Sequence, residues 1–425
     1  MKNFIRKLIS RRKLTKGQQN GNTSGNTPTP AIITQPPPPA MENRGQEQQV
    51  LTAAAGSLTV ALQNKSNSNQ VYAYITGLSM NDNFKPIFIQ SDGRSVYSPP
   101  SPSKTGAALT ADVAIRLGPP GNTVNVTIPK IAGGRIWFSI GAPLTFLVNP
   151  GPAIVEPSVT NPSDPNYNVF WSFCEFTYND QQLFANISYV DFVSIPIAMS
   201  LTNTAGHTQT VPGMPENGFN TVVNLLRQQA AADGQPWDQL VYSHNGQALR
   251  ALSPNNLRVG NQQAFSSYWN SYIQRVWAKY QNEDLTINTQ AAAGDITGRI
   301  RNNELQLSQA GSFAAPTSAD IWTCNSGPFT TGSNAARNAA IPRLAAAFNR
   351  STLLDSSEAP NGSHPGSYYR DGITNHYSRI LHQVSKDGRG YGFPYDDVVP
   401  DGGQDVAGTV FDGSPRVFTV AVGGG

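Results

Sequence analysis

Two acids stand out in the stretch WSFCEFTYNDQQLFANISYVDF, residues 171–192: Glu175, set among aromatic residues, and Asp191, near its end. Side chains alternate across a strand, so Trp171, Phe173, Glu175, Thr177 and Asn179 share one face, which runs from aromatic to acid, hydroxyl and amide. That gradient suits a strand leaving the core for a binding cleft. After the polar turn NDQQL, the run NISYVDF reads as a second strand with Ile187, Tyr189 and Asp191 on one face. Neighbouring antiparallel strands bring same-face acids close together. Paired carboxylates are the minimum equipment for glycoside hydrolysis: one donates a proton to the leaving oxygen, and the other, ionised, activates water or attacks carbon. Aromatic neighbours such as Trp171, Phe173 and Phe176 predict a raised pKa for Glu175, as a general acid requires. The plainer alternative makes Glu175 an exposed edge-strand acid and Asp191 a turn-former ahead of Pro196.

The elements that must position these acids follow from hydrophobic patterning. From about Leu51 to Leu201, short runs such as SLTVALQN, QVYAYITG, PIFIQ, GNTVNVTIP, GGRIWFSIG and LTFLV are alternating or β-branched and aromatic, each bounded by Gly, Pro, Asn or Ser. They predict a sandwich or barrel. After Pro212 the texture changes. GFNTVVNLLRQQAAADG, AFSSYWNSYIQRVWAKY, SNAARNAAIPRLAAAFN and YRDGITNHYSRILHQVS have helical spacing, the third kinked or restarted at Pro342. DLTIN and ELQLS read as single strands, and GTVFDGSPRVFTVAVGGG returns to β structure. The expected organisation is a β domain over residues 49–211 and 390–425, interrupted by a mixed α/β domain over 212–389, with a site in the groove between them.

The bulk composition narrows the function classes. Charged residues make up 13% of the 425, with 38 glycines and 32 prolines, a balance suited to a loop-rich protein that handles neutral polymers. Seven basic residues fall in the first 16 positions; removing them from the 30 Lys and Arg leaves 23 against 27 acids. A mildly acidic body excludes a nucleic-acid-binding surface, which needs a basic patch on the folded part. Residues 1–48 read as a disordered, basic and Pro-rich tail, with PPPP as a short extended spacer. The N-terminus lacks the apolar run of a secretory signal and reads as a solvated basic tail; its acid-free character also loosely resembles a transit peptide or membrane-surface helix. No stretch is apolar enough for a transmembrane helix. Cys174 and Cys324 either pair or are separate buried thiols. No nucleotide, zinc or nucleophile-elbow motif is present and the five histidines show no ligand spacing, so neither cofactor nor metal is expected. Asn186-Ile187-Ser188 is a glycosylation sequon inside a predicted strand, where its use is not expected.

The stretch WSFCEFTYND…LFANISYVDFVSIPIAMSL, preceded by NPSDPNYNVFW, resembles the signature of glycoside hydrolase family 64, the inverting endo-β-1,3-glucanases. GGRIWFSIGAPLTFLV and DGRGYGFPYDDVVPDGG resemble two further segments of that family in the same order, so the likeness spans about residues 50–425. The resemblance implies a thaumatin-like β-sandwich or barrel beside a mixed α/β domain, with a wide groove between them. It implies Glu175 as general acid, Asp191 as general base, and Thr177 and Asn179 as sugar contacts. The aromatic position after the turn, a tryptophan in the best-known members, falls on Phe184, which stacks on a pyranose but lacks the indole donor. Tyr395, Asp396 and Asp397 of the YDDV motif are expected to line the groove, the alternative being a turn-capping acid pair. The implied partner is β-1,3-glucan, such as laminarin or cell-wall glucan, bound by a monomer that releases short laminari-oligosaccharides. The family suggests export, whereas the N-terminus suggests a cytoplasmic start or unconventional release. The competing readings are a non-catalytic glucan-binding thaumatin-like protein, which has no need of both acids, and a structural protein reusing the fold.

Overall fold

The strand Phe170–Tyr178 lies near the middle of an eight-stranded sheet and is apolar on both faces over its first half because both faces are covered. The computed structural model describes residues 56–425; the expected tail of residues 1–48 lies outside them. The chain is mainly β, with several sheets and some helices. In the eight-stranded sheet, Thr409–Asp412, Leu183–Ile187, Phe170–Tyr178, Ile131–Ile140, Val71–Ser79, Pro86–Ile89 and Val96–Tyr97 follow one another, and Ile115–Arg116 also pairs with Val71–Ser79. A five-stranded sheet has the order Thr208–Val211, Ile197–Asn203, Pro415–Val422, Leu58–Asn64, Thr123–Ile128. The late strand Pro415–Val422 is thus central, parallel to Leu58–Asn64 and antiparallel to Ile197–Asn203.

One hydrophobic cluster joins the inner faces of these sheets, with Val60, Leu62, Phe418 and Val420 from one and Ile136, Phe138, Phe176 and Ala185 from the other. The Phe176 and Phe418 rings approach to 6.4 Å. A second, aromatic cluster covers the outer face of the larger sheet: Tyr74, Phe88, Trp137, Phe146, Trp171, Phe173 and Phe192. Each fully buried ring of this kind stabilises the fold by about 1.5–3 kcal/mol. The indole nitrogens find acceptors, Trp137 donating to Thr76 Oγ1 at 2.9 Å and Trp171 to the Asn166 carbonyl at 3.2 Å. Beyond Glu175 the ladder slips between Phe176 and Tyr178, opposite the Gly-Gly of the strand Ile131–Ile140. A Cβ on Gly134 would lie 2.5 Å from the Phe176 ring, so only glycine admits this close approach. The bulge bends the polar end of the strand away from the regular pleat.

The helices match the texture change. Gly218–Asp233 ends at Gly234 in the left-handed conformation (φ 69°), and His376–Val384 begins with Asn375 accepting from the Ser378 amide. Two expectations shift. Ala335–Asn349 runs unbroken through Pro342, because Ala340, Ile341, Leu344 and Ala345 are buried on both sides of it and packing outweighs the lost hydrogen bond. Asn270–Asn282 starts after the predicted helix, since Phe265 adopts φ 54° and enters the core from a turn.

DLTIN and ELQLS each form one strand as expected, Leu285–Asn288 and Glu304–Leu307, and neither stands alone. They belong to a five-stranded sheet, Gly311–Ala314, Glu304–Leu307, Asp295–Arg301, Leu285–Asn288, Glu358–Ala359, whose polar middle strand the sequence pattern hides. The run NISYVDF is not one strand. Pairing in the large sheet stops at Ile187, which packs opposite Cys174 in the core rather than on the Glu175 face. Ser188 then bridges Tyr391, the Tyr189 amide donates to the Tyr391 carbonyl at 2.9 Å, and Phe192–Val193 pairs with Gln247–Leu252 in another sheet. Cys174 and Cys324 are separate buried thiols, so the paired alternative is set aside. Among the described residues, no helix is long and apolar enough to cross a membrane.

Candidate active site

Glu175 stands where the aromatic face of its strand turns polar, with its side chain one-third exposed (33%). The register puts Arg135 directly opposite it on one side and Asn186 on the other. Arg135 donates from Nε and Nη2 to Glu175 Oε1 at 3.3 and 3.2 Å, and from Nη1 to Glu156 Oε2 at 2.6 Å. Its guanidinium also lies 4.8 Å from the Phe173 ring centroid and 5.4 Å from that of Trp137, so the outer aromatic cluster ends in a cation. Burial works against the Arg135 charge, yet Glu156, Glu175 and Asp191 together hold its pKa above the ordinary arginine value. The expected apolar surround of Glu175 is therefore corrected. Phe176 belongs to the inner core, Trp171 and Phe173 to the covered outer cluster, and the group bonded to the carboxylate is a guanidinium.

Asp191 reaches this cluster from the connection after the large sheet, not from a continuing strand. Its backbone carbonyl accepts from the Ser253 amide at 2.9 Å and from Asn256 Nδ2 at 3.0 Å; the same Nδ2 lies 3.4 Å from Asp191 Oδ1. Burial raises the Asp191 pKa, Arg135 opposes the rise and Glu175 adds to it. Both sequence-predicted acids thus act on one arginine and on each other.

The residues flanking Glu175 divide by role. Phe184 lies directly across from Thr177 and stacks against Phe411 of the neighbouring strand, with ring centroids 6.5 Å apart and planes 23° apart. Thr177 Oγ1 accepts from the Gly133 amide at 3.3 Å, at the bulge. Asn179 Oδ1 accepts from the amides of Gln181 and Gln182 at 2.8 and 2.9 Å, so its carbonyl holds the hairpin turn. Asn186 is 3% exposed, too buried to carry a glycan, and its Nδ2 meets no acceptor among the described residues.

The YDDV motif splits. Asp396 is fully buried (0% exposed), bonded by Arg350 Nη2 at 2.9 Å, His382 Nε2 at 3.0 Å, Ser378 Oγ at 3.2 Å and the Gly392 amide at 2.9 Å. With both oxygens occupied and no exposed surface, it does not line a groove; it pins the C-terminal segment to the helices. Asp397 is half-buried, accepts from Tyr391 Oη at 3.3 Å, and burial lifts its pKa to about 6. Burial, and then the charges of Asp397 and Asp396, raise the Tyr391 pKa. Tyr395, half-buried at φ 73°, opens the turn that holds both acids, its carbonyl accepting from the Val398 amide at 3.0 Å. No group of three or more His, Cys, Asp or Glu among the described residues is arranged to hold a metal ion.

The sequence pattern did not single out Arg135, Glu156 or Phe411, and it marked Asn186 only as a sequon. Arg135 had a legible signal: in GGRIWFSI it is the single charge in an otherwise apolar strand, on the same face as Trp137. Glu156 and Phe411 had none, since each meets the site only through folding.

A family model described as β-1,3-glucanase, glycoside hydrolase family 64, matches residues 56–422. Two curated relatives described as glucan endo-1,3-beta-glucosidase are similar. The one from Cellulosimicrobium cellulans is 27% identical over 285 residues, and the one from Arthrobacter sp. (strain YCWD3) is 29% identical over 288. Each alignment covers 65% of this chain and 50% of the relative, so the chain spans about half the length of the curated relatives it matches. The crystal structure of a laminaripentaose-producing β-1,3-glucanase in complex with laminaritetraose superposes with a TM-score of 0.77 at 29% identity, covering 87% of this chain and 99% of that one. A β-1,3-glucanase domain from Clostridium beijerinckii shares the fold, with a TM-score of 0.67 at 22% identity over 87% of this chain and 98% of that one.

Proposed function

The chain belongs to the β-1,3-glucanases of glycoside hydrolase family 64, and we propose that it cleaves β-1,3-glucan internally by an inverting two-carboxylate mechanism, releasing short laminari-oligosaccharides. The observation that carries this reading is the convergence of Glu175 and Asp191 on Arg135 at the end of an aromatic sheet face. Glu175, as the acid, gives its proton to the glycosidic oxygen as the C1–O bond breaks. Asp191, as the base, takes a proton from the water that adds to C1 from the opposite side, so a β linkage yields an α product. Hydrolysis needs one proton in this pair. Burial and the neighbouring Glu175 charge raise the Asp191 pKa while Arg135 opposes the rise, and a base with a raised pKa takes a proton from water more readily. The mechanism requires the two carboxyl groups to stand roughly 6.5–9.5 Å apart, room enough for a water.

In the same reading, Thr177, Asn179, Tyr395 and Asp397 contact the sugar, and the Phe184–Phe411 pair supplies a stacking platform. The β domain of residues 49–211 and 390–425 is thaumatin-like, 212–389 forms the mixed domain, and the protein binds glucan as a monomer in the groove between them. The return of Pro415–Val422 to the strand Leu58–Asn64 supports that division. Laminarin digestion with chromatography and anomeric analysis tests the reading. Glu175→Gln and Asp191→Asn should each lower turnover by about 10²–10⁴-fold, and full activity in both would refute the assignment.

A further inference from the structure

Arg135 is bound more tightly to a third acid than to the one assigned the proton. Its Nη1 meets Glu156 Oε2 at 2.6 Å, while its contacts to Glu175 Oε1 are 3.2 and 3.3 Å. Glu156 directly follows the short strand Ala153–Val155, which pairs with Leu147–Asn149 outside the eight-stranded sheet, so it reaches Arg135 from a separate element. We propose that Glu156 is a positioning residue of the reaction: by engaging one side of the Arg135 guanidinium, it keeps that charge from being devoted to Glu175, which can then hold its proton. This inference rests on Glu175 as the general acid.

The physical conflict is specific. A cation within hydrogen-bond reach favours the ionised form of a carboxyl, which is the wrong form for a proton donor. Arg135 nonetheless has to be there, because it caps the aromatic cluster over Phe173 and Trp137 and offsets the negative charge of the acid pair. Splitting the guanidinium between two carboxylates meets both needs: Arg135 stays in place while Glu175 receives the longer contacts. The charged and titratable groups around Glu175 are Arg135 from the strand beside it, Glu156 beyond Arg135, Asp191 from the connection after Ile187, and Tyr391 with its partner Asp397 from the C-terminal segment. Of these, Glu156 alone touches Arg135 without being given a part in bond cleavage or sugar contact.

The test is the pH dependence of kcat and kcat/KM on laminarin for the full chain and for Glu156→Gln, Glu156→Asp and Glu175→Gln. Glu156→Gln is isosteric and removes one of the two carboxylates in hydrogen-bond contact with Arg135. Its hydrogen-bonded ion pair is then to Glu175 alone, while Asp191 acts on it only through space, so the acid loses its proton at lower pH. The basic limb should move down by about one pH unit, cutting turnover about tenfold above the limb while KM changes by less than about twofold. Glu156→Asp, which keeps the charge, should return the limb most of the way. An unmoved limb in Glu156→Gln, or a loss at every pH that Glu156→Asp does not repair, overturns the proposal. Full activity in Glu175→Gln would instead overturn the acid assignment on which it rests, so the two failures are distinguishable.

Discussion

Arg350 Nη2 and Asp396 Oδ1 lie 2.9 Å apart with side chains 3% and 0% exposed, an ion pair sealed from solvent. His382 Nε2 completes it from the other oxygen at 3.0 Å. Such a pair fixes the chain segment that carries Asp397 and Tyr391. Leaving Arg350 without its acid strands a buried charge, so Asp396→Asn should cost about 3–5 kcal/mol of stability, read as a shift in urea midpoint.

The same cluster predicts a pH profile for stability. Burial pushes the Asp396 carboxyl up, but His382 and Arg350 outweigh it and hold its pKa below the ordinary value. Its contribution is present above an unfolded pKa of about 3.9 and is lost as pH falls through the lower folded value. Burial pushes His382 down, but Asp396 outweighs it and raises its pKa. That contribution is complete below an unfolded pKa of about 6.5 and is lost as pH rises through the higher folded value. The contribution of this pair to stability should therefore be greatest between about pH 4 and 6.5, read from the difference in melting temperature between the parent and His382→Gln. In His382→Gln the loss on the alkaline side should flatten; an unchanged alkaline slope would show that this histidine is not the group titrating.

Phe184 and Phe411 offer a continuous aromatic surface beside Thr177. In a Glu175→Gln background, Phe184→Ala should weaken laminari-oligosaccharide binding by about 0.5–1.5 kcal/mol, and Phe184→Trp should hold or tighten it. Calorimetric titration reads both. Equal affinity in all three proteins would remove the platform from the site.

Both cysteines are buried, and burial raises the pKa of each thiol. A thiol reagent should label neither in the native protein and both after denaturation without reductant. Failure to label either thiol in the denatured, unreduced chain would reveal a bridge between them.

The face that carries Glu175 was legible because strand alternation is a local property, whereas Asp191 was singled out by residue type alone. The face running from Trp171 and Phe173 to Glu175 is the face seen in the structure. The route by which Asp191 arrives was not legible. A continuing strand and a strand that leaves its sheet after Ile187 read alike until the partner Tyr391, far along the chain, is in place. For the same reason Asp396 and Asp397, adjacent in sequence, looked equivalent although one is sealed among Arg350, His382 and Ser378 and the other hangs from Tyr391. Asp295–Arg301 escaped notice because its pattern is polar and its stability comes from strands on both sides.

The strand Pro415–Val422 fills the middle of the five-stranded sheet, between Leu58–Asn64 and Ile197–Asn203. While the chain emerges from the ribosome, those two neighbours are made long before the strand that separates them, and each waits with an open edge. The five-stranded sheet is therefore completed only after nearly all of the described chain has been translated. A growing chain has to hold two β edges open in the meantime, which exposes both to mispairing until the last strand arrives.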